Sequence, residues 1–217
     1  MSRQNLRDRI YDRLIQSIRS GAFGWDDRYV DVTVAAELGV SRMPARDALM
    51  RLAAEGYLVP TTRGFVLPRL TPAEILDFFE LRRLLEPRAA ALAAQAMTDA
   101  ALATMERAVE DGAAAVAAHD GPVLFTASEL FRNAWLSVVP NRALEQSIRR
   151  YFVQVQNVRL ITMREDRTLA VIVEGQRDLL AAFRAGDAVA AADRMLRFVI
   201  EGETAFRRSG AEDDRPL

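Results

Sequence analysis

Arg42 and Arg46 stand four residues apart, directly behind Gly39 and Ser41, in the stretch Leu38-Gly39-Val40-Ser41-Arg42-Met43-Pro44-Ala45-Arg46. Residues at that spacing share one face of a helix. A guanidinium can give two hydrogen bonds to guanine O6 and N7, and a recognition helix presents its N-terminal residues to base edges. Arg46 is therefore the first candidate for base readout, and Arg42 the second. In isolation, two arginines on any solvated helix would look the same; the turn-forming Gly39 and capping Ser41 in front of them favour DNA. Ser41 can cap that helix and also bond a phosphate where the backbone amides are free. Arg63 and Gly64 sit between two short apolar runs. They read either as an ordinary hairpin turn or as a tip that approaches the DNA backbone or minor groove. Thr33 and Arg7 are weaker phosphate candidates.

Other chemistries find few residues. Cysteine is absent, which removes disulfides and thiolate ligands, and His119 is the single histidine. No phosphate-cradling glycine loop, Ser-His-Asp arrangement or paired-carboxylate motif stands out, so the sequence does not read as an enzyme.

The elements that must position these arginines follow from periodicity. Leu6, Ile10, Leu14, Ile15 and Ile18 form one apolar helical face, closed by Gly21 and Gly24. After the short segment Tyr29 to Val32, Thr33 is expected to cap a brief second helix ending at Leu38. Gly39 supplies the turn, and Ser41 caps a third helix from Arg42 to Glu55. Ala45, Ala48, Leu49 and Leu52 face a small core, with Arg42, Met43, Arg46 and Arg51 elsewhere on the cylinder. Beyond Gly56, Tyr57 to Pro60 and Phe65 to Pro68 read as two strands around the Thr61–Gly64 turn. The expected fold is mainly α: a winged helix-turn-helix over residues 1–69, then an all-α bundle over residues 70–217.

In that second region Thr71-Pro72-Ala73-Glu74 opens a helix that can run to about Met97, with Pro87 expected to kink it. Further breaks at Thr98-Asp99, Asp120-Gly121-Pro122, Pro140-Asn141, Glu165-Asp166 and Gly186-Asp187 divide the remainder, giving six helices in all. His119 reads as a surface residue, and Trp135 as a buried anchor in preference to a ligand-pocket wall. The stripes Phe78, Leu81, Leu85 and Tyr151, Val155, Val158 read as core or dimer seam. Arg149-Arg150 and Arg207-Arg208 read as solvated faces, and the polar tail from Ser209 as frayed.

Charge is distributed unevenly. Residues 1–69 hold eleven arginines and eight acidic residues, a balance of +3, within a chain of net charge −1 that contains no lysine. The basic half thus comes first, on the side of the candidate helix. No run of eighteen apolar residues is present and the first residues alternate charges, so the expectation is a cytoplasmic protein without a membrane partner.

The stretch Leu38 to Leu52, followed by Glu55-Gly56-Tyr57-Leu58-Val59, closely resembles the DNA-binding motif of the GntR family of bacterial regulators. In that family the Ser-Arg and Pro-x-Arg positions contact operator DNA. The resemblance carries this role to Ser41, Arg42, Pro44 and Arg46, and the wing-glycine role to Gly64. Asp47 stands where the family usually has Glu, and the usual Leu-rich entry to helix two is altered around Val30 to Ala35. These departures bear on fine specificity.

The likeness continues through Glu80-Leu81-Arg82-Arg83-Leu84-Leu85-Glu86-Pro87, which is similar to the opening of the all-helical effector domain of the FadR-like subfamily, shorter branch. Gly186-Asp187 with Met195 is similar to its end, and Asn141 matches a family asparagine. Many members hold a divalent metal there through one acidic residue and three histidines. Those positions fall on Ser128, Arg132, Gln176 and Phe198, none of them a suitable ligand, so no metal and no cofactor is expected. An arginine among these positions would repel a cation and attract an anion. Arg82, Ser128, Arg132, Gln176 and Phe198 could thus clamp a carboxylate or phosphate effector directly. Equally, Arg132 could face solvent or pair with Glu129 or another acid such as Glu86, with Phe198 filling a dry core.

The resemblance implies a homodimeric repressor on a pseudo-palindromic double-stranded operator, its affinity modulated by a small, anionic effector. The alternative is a ligand-independent DNA-binding dimer whose helical domain only dimerises.

Overall fold

The computed structural model describes residues 6–19, 27–150 and 166–208, which fall into two compact units meeting at Thr71 and Pro72. Each unit has its own core.

The first unit opens with α1, Leu6–Arg19, whose Ile10, Leu14, Ile15 and Ile18 are buried as the periodicity requires, whereas Leu6 remains exposed at the helix start. Helix α2 spans Asp31–Leu38 and α3 spans Arg42–Ala54. Between them Gly39 adopts φ 64°, a left-handed conformation that most side chains resist, and Val40 N–H closes the turn on Ala35 C=O at 2.9 Å. The α3 core face is Ala45, Ala48, Leu49 and Leu52, packed with Tyr29, Val34, Leu58 and Leu67.

Strands β1 (Val59–Thr61) and β2 (Gly64–Val66) pair antiparallel, with Thr61 opposite Gly64. They are shorter than the runs the alternation suggests and sit one or two residues inward. A third segment joins them, because Tyr29 exchanges both backbone hydrogen bonds with Phe65, each at 2.8 Å. That bridge explains where α2 starts. Its cap is Val30, not Thr33, and Thr33 lies inside the first turn, exposed. The chain leaves the Tyr29 bridge and turns helical at once, with Val34 N–H reaching Val30 C=O at 2.9 Å and Asp31 placing its charge at the positive helix end.

The second unit comprises α4 (Pro72–Gln95), α5 (Asp99–Ala117), α6 (Gly121–Ser137), α7 (residues 142–150), α8 (Asp166–Arg184) and α9 (Ala188–Arg208) among the described residues. Four of the five breaks read in the sequence here are caps that their own side chains make. Thr98 Oγ1 accepts from Ala101 N–H at 3.3 Å, Asp120 from Val123 at 3.0 Å and Asn141 from Leu144 at 3.0 Å. Asp187 accepts from Val189 and Ala190 at 3.0 and 2.9 Å. Pro87 does not divide α4, which runs as one helix of 24 residues. Among the described residues no helix is long and apolar enough to cross a membrane.

Helix α4 packs along α9 and α5 along α6, while α8 touches both α9 and α5. The core is aromatic at two points: Trp135 stacks on Phe183 with centroids 6.2 Å apart, and Phe79 meets Phe206 at 6.2 Å. Trp135 is thus the anchor its sequence context suggested. In α4 the deeply buried line is Ile75, Phe79, Arg82, Glu86, Ala89, Ala90 and Ala93. Phe78, Leu81 and Leu85 are half-buried beside it, so polar residues occupy part of the stripe that hydrophobicity alone assigns to those three. The stripe Tyr151, Val155, Val158 and the tail from Ser209 lie outside the described residues. His119 is exposed, and so are Arg149, Arg150, Arg207 and Arg208.

Candidate nucleic-acid interface and interior polar site

Helix α3 buries four residues and turns the opposite face to water. That face holds Arg42, Met43, Arg46 and Met50, all exposed, with Pro44 and Asp47 half-buried at its edges. Ser41 sits at the N-cap with extended backbone (φ −77°, ψ 160°), yet its hydroxyl makes no capping bond. The first amides of α3 are therefore not claimed by that side chain. Pro44 is the third helical residue, where its missing N–H forfeits no intrahelical bond.

The arginines of this unit differ in what holds them. Arg51 is committed to structure: its Nε donates to Glu55 at 2.9 Å, its Nη1 to Asp8 at 3.1 Å, and its guanidinium lies 4.0 Å over the Tyr11 ring. Tyr11 in turn donates its hydroxyl to Glu55, and burial together with that bond pushes its pKa up. Arg7 pairs with Asp47 at 3.1 Å. Arg42 reaches Asp31 of α2 at 3.2 Å in an exposed pair, the kind that contributes little and exchanges readily. Arg46 makes no ion pair or side-chain hydrogen bond among the described residues, and neither does the guanidinium of Arg63.

Arg63 stands exposed at the tip of the β1–β2 hairpin, where its amide donates to Thr61 Oγ1 at 3.2 Å and Thr61 donates to Gly64 C=O at 2.8 Å. Gly64 has a different reason to be glycine. At φ 123° its Cβ would lie 2.6 Å from the Tyr29 carbonyl oxygen, so the Tyr29–Phe65 bridge excludes any side chain there. The unit thus presents Arg42, Arg46 and Arg63 outward, with Ser41 beside the first two. Thr33 is exposed on α2.

In the second unit four of the five candidate effector residues are buried: Arg82, Ser128, Arg132 and Gln176. Arg132 is neither solvated nor alone. Its Nη2 donates to Glu86 Oε1 at 2.9 Å, and Arg82 Nε donates to the same oxygen at 2.8 Å. Burial by itself raises a carboxyl pKa, but the charges of Arg132 and Arg82 and their hydrogen bonds outweigh it and hold Glu86 at about 2. Glu129, also buried, adds its negative field to Arg132. Arg82 keeps its two terminal nitrogens without a hydrogen-bond partner among the described residues. Ser128 Oγ and Gln176 Oε1 are fully buried and likewise make no hydrogen bond.

Phe198, the fifth candidate, is half-buried. Its ring lies against Gly175, where a Cβ would come within 2.4 Å, and it lines a groove of about 220 Å³ along α8 and α9 with Glu174, Asp178, Arg194, Arg197 and Glu201. Burial and the nearby Glu174 and Asp178 push the Glu201 carboxyl up, and the groove carries three carboxylates against two guanidiniums. The four positions that would carry metal ligands do not fit a cation either, since they offer a hydroxyl, a guanidinium, an amide and a phenyl ring. No group of three His, Cys, Asp or Glu able to hold a metal occurs among the described residues.

A basic, outward helix after a glycine turn, with a two-stranded wing, precedes a six-helix unit, and the matches to known families follow the same division. Residues 6–64 match the family described as bacterial regulatory proteins, gntR family, and residues 77–201, more than half of the chain, match the FCD domain. The chain belongs to the GntR family of bacterial regulatory proteins. It is 42% identical over 80 residues to the Nta operon transcriptional regulator of Aminobacter aminovorans, a match spanning 36% of this chain and 38% of that protein. It is 30% identical over 127 residues to an uncharacterized HTH-type transcriptional regulator in the TAR-I ttuE-ttuC' intergenic region of Agrobacterium vitis, covering 56% of this chain and 73% of that one. The chain thus spans well under half the length of the first relative and about three quarters of the second.

Among solved structures, E. coli McbR/YncC superposes with a TM-score of 0.82 at 23% identity, covering 94% of this chain and 98% of that one. A GntR regulator from Rhodococcus sp. RHA1 gives 0.75 at 20% identity, over 93% and 97% of the two chains. At these identities the likeness establishes the fold. The GntR assignment and the names of the relatives are those of transcriptional regulators and not of enzymes.

Sequence reasoning placed the outward arginines and named Glu86 as an acid that could pair with Arg132; what it left open is that Glu86, 46 residues from Arg132 and four from Arg82, is shared by both guanidiniums. The exposed Met43 was seen to lie off the core face, with no role attached to it.

Proposed function

We propose that this GntR-family chain is a DNA-binding transcriptional repressor that acts as a homodimer, each protomer setting α3 into a major groove of a double-stranded, pseudo-palindromic operator. The observation that carries the reading is Arg46: an exposed guanidinium with no ion pair among the described residues, one turn into α3 and flanked by Arg42 and Ser41. Arg46 reads a base edge, Arg42 and Ser41 hold phosphates, Pro44 shapes the first turn, and Arg63 approaches the backbone from the wing. Gly64 serves by letting the wing close on Tyr29. Thr33 is a further phosphate contact.

The test is fluorescence anisotropy with duplexes selected by this protein from a random pool. Arg46→Ala should weaken binding by ~1–3 kcal/mol and relax selection at one base pair of each half-site. Equal loss on every sequence would make Arg46 a phosphate contact, and no selectable duplex would end the reading.

The helical unit is proposed to take a small carboxylate or phosphate as effector, without a metal. The support is the interior set: two buried guanidiniums share one carboxylate, and among the described residues Arg82 retains an unused fork and Ser128 and Gln176 hold unused polar atoms. An effector changes operator affinity only as far as it prefers one conformation over the other. A thermal-shift panel of small carboxylates and inorganic phosphate tests this. No stabilisation, with full operator affinity, would leave the helical unit a dimerisation module.

A further inference from the structure

We propose that Met43 is a specificity-determining residue of the DNA interface, reading the C5-methyl of a thymine in each half-site. The inference rests on the DNA-binding reading above and goes beyond its arginines.

Met43 is the second residue of α3 and is 66% exposed, more than any other large apolar side chain among the described residues of this unit. Its position is not explained by folding. The core face of α3 is complete with Ala45, Ala48, Leu49 and Leu52, each at most 2% exposed, and Met43 points away from it. Scattered exposed hydrophobics are ordinary on protein surfaces. This one is flanked in sequence by Arg42 and on the same helical face by Arg46, three residues on. Met43 thus lies between Arg42, assigned above to a phosphate, and Arg46, assigned to a base edge, where a side chain reaches the edge of the neighbouring base pair.

In the major groove the thymine methyl is the one apolar feature a base pair offers, and an unbranched thioether suits it because it can follow an irregular surface. Arginine beside it takes guanine, so the pair Met43 and Arg46 would select a guanine and a thymine on neighbouring steps. Met50 supplies an internal comparison. It lies on the same face seven residues later and is 52% exposed, but two turns further from the end that enters the groove.

The experiment uses the full chain and the duplex it selects from a random pool. Each thymine is replaced singly by deoxyuridine, which removes only the methyl group. The wild type should show one position per half-site where this weakens binding about fourfold, the loss expected for one buried methyl. Met43→Ala should bind the thymine and uracil duplexes equally at that position, while Met50→Ala should retain the fourfold difference. A wild type with no uracil-sensitive position overturns the proposal, as does sensitivity that survives in Met43→Ala. Failure of the wild type to select any duplex overturns the DNA-binding reading itself, which separates the two.

Discussion

Arg46 and Arg132 carry the same guanidinium in opposite surroundings. Arg46 is exposed on α3 and makes no ion pair among the described residues; Arg132 is buried in the helical unit, bonded to Glu86 and in the field of Glu129. A charge left in water needs no counter-charge to persist there, and its unspent donors are available to a ligand. A charge taken out of water is tolerable only if its partner comes with it. Removing Arg46 should therefore be felt in binding and not in stability, and removing the partner of Arg132 should be felt in stability first. Arg42 lies between the two extremes, exposed but shared with Asp31.

The largest effect follows from striking out the shared carboxylate. Glu86→Ala leaves Arg82 and Arg132 facing each other without compensation and should destabilise the chain by ~3–5 kcal/mol, read by urea unfolding. Arg46→Ala should stay within about 0.5 kcal/mol of wild type in the same assay. The same carboxylate gives a pH dependence. Its folded-state pKa of about 2 lies below its unfolded value, so its contribution is complete above that unfolded value and disappears as pH falls through it toward about 2. The melting temperature of the wild type should drop over that acid window, and Glu86→Gln should flatten the drop. A Glu86→Ala chain as stable as wild type would break the comparison.

The outward set depends on a scaffold that can be tested without touching a charge. Gly64→Ala places a Cβ 2.6 Å from the Tyr29 carbonyl at a φ of 123° and should destabilise the first unit by ~1–3 kcal/mol. Because the bridge to Phe65 also fixes where α2 begins, hydrogen exchange should quicken at the Tyr29 and Phe65 amides, leaving α8 and α9 unaffected. Quickening confined to the wing turn would mean the bridge does not organise α2.

What could be read from the sequence depended on how local its cause was. Thr98, Asp120, Asn141 and Asp187 cap the helices that follow them through their own side chains, so the breaks in the second unit were legible within a few residues. The face of α3 was legible for the same reason. Thr33 misled because the start of α2 is set by a strand pairing with Phe65, far along the chain. Phe198 was aligned with the interior set through the family resemblance alone, and the space for its ring at Gly175, on the facing helix of the α8–α9 groove, has no signal in the sequence. Arg132 was left open between ligand, solvent and acid, since its partner lies on another helix. The family motif made the DNA-binding end readable, whereas the interior site departs from the family at each of its metal positions.

The smallest effect is the most informative about Arg42. Its pair with Asp31 is exposed on the arginine side, so Asp31→Asn should cost under about 1 kcal/mol, part of it from the lost charge at the α2 N-terminus. If Arg42 is held from a phosphate by that carboxylate, the substitution releases it and removes a negative charge from the approaching face. Operator affinity should rise at low salt. The slope of log K against log salt should steepen by up to about 0.9, the value of one added phosphate contact. Arg42→Ala in the same background should return the slope to its starting value. An Asp31→Asn protein that binds more tightly with an unchanged slope would place Arg42 on a base edge beside Arg46, since a base contact adds affinity without releasing a further counterion. The two arginines would then read adjacent base pairs, and the phosphate contacts of α3 would fall to Ser41 and the helix amides.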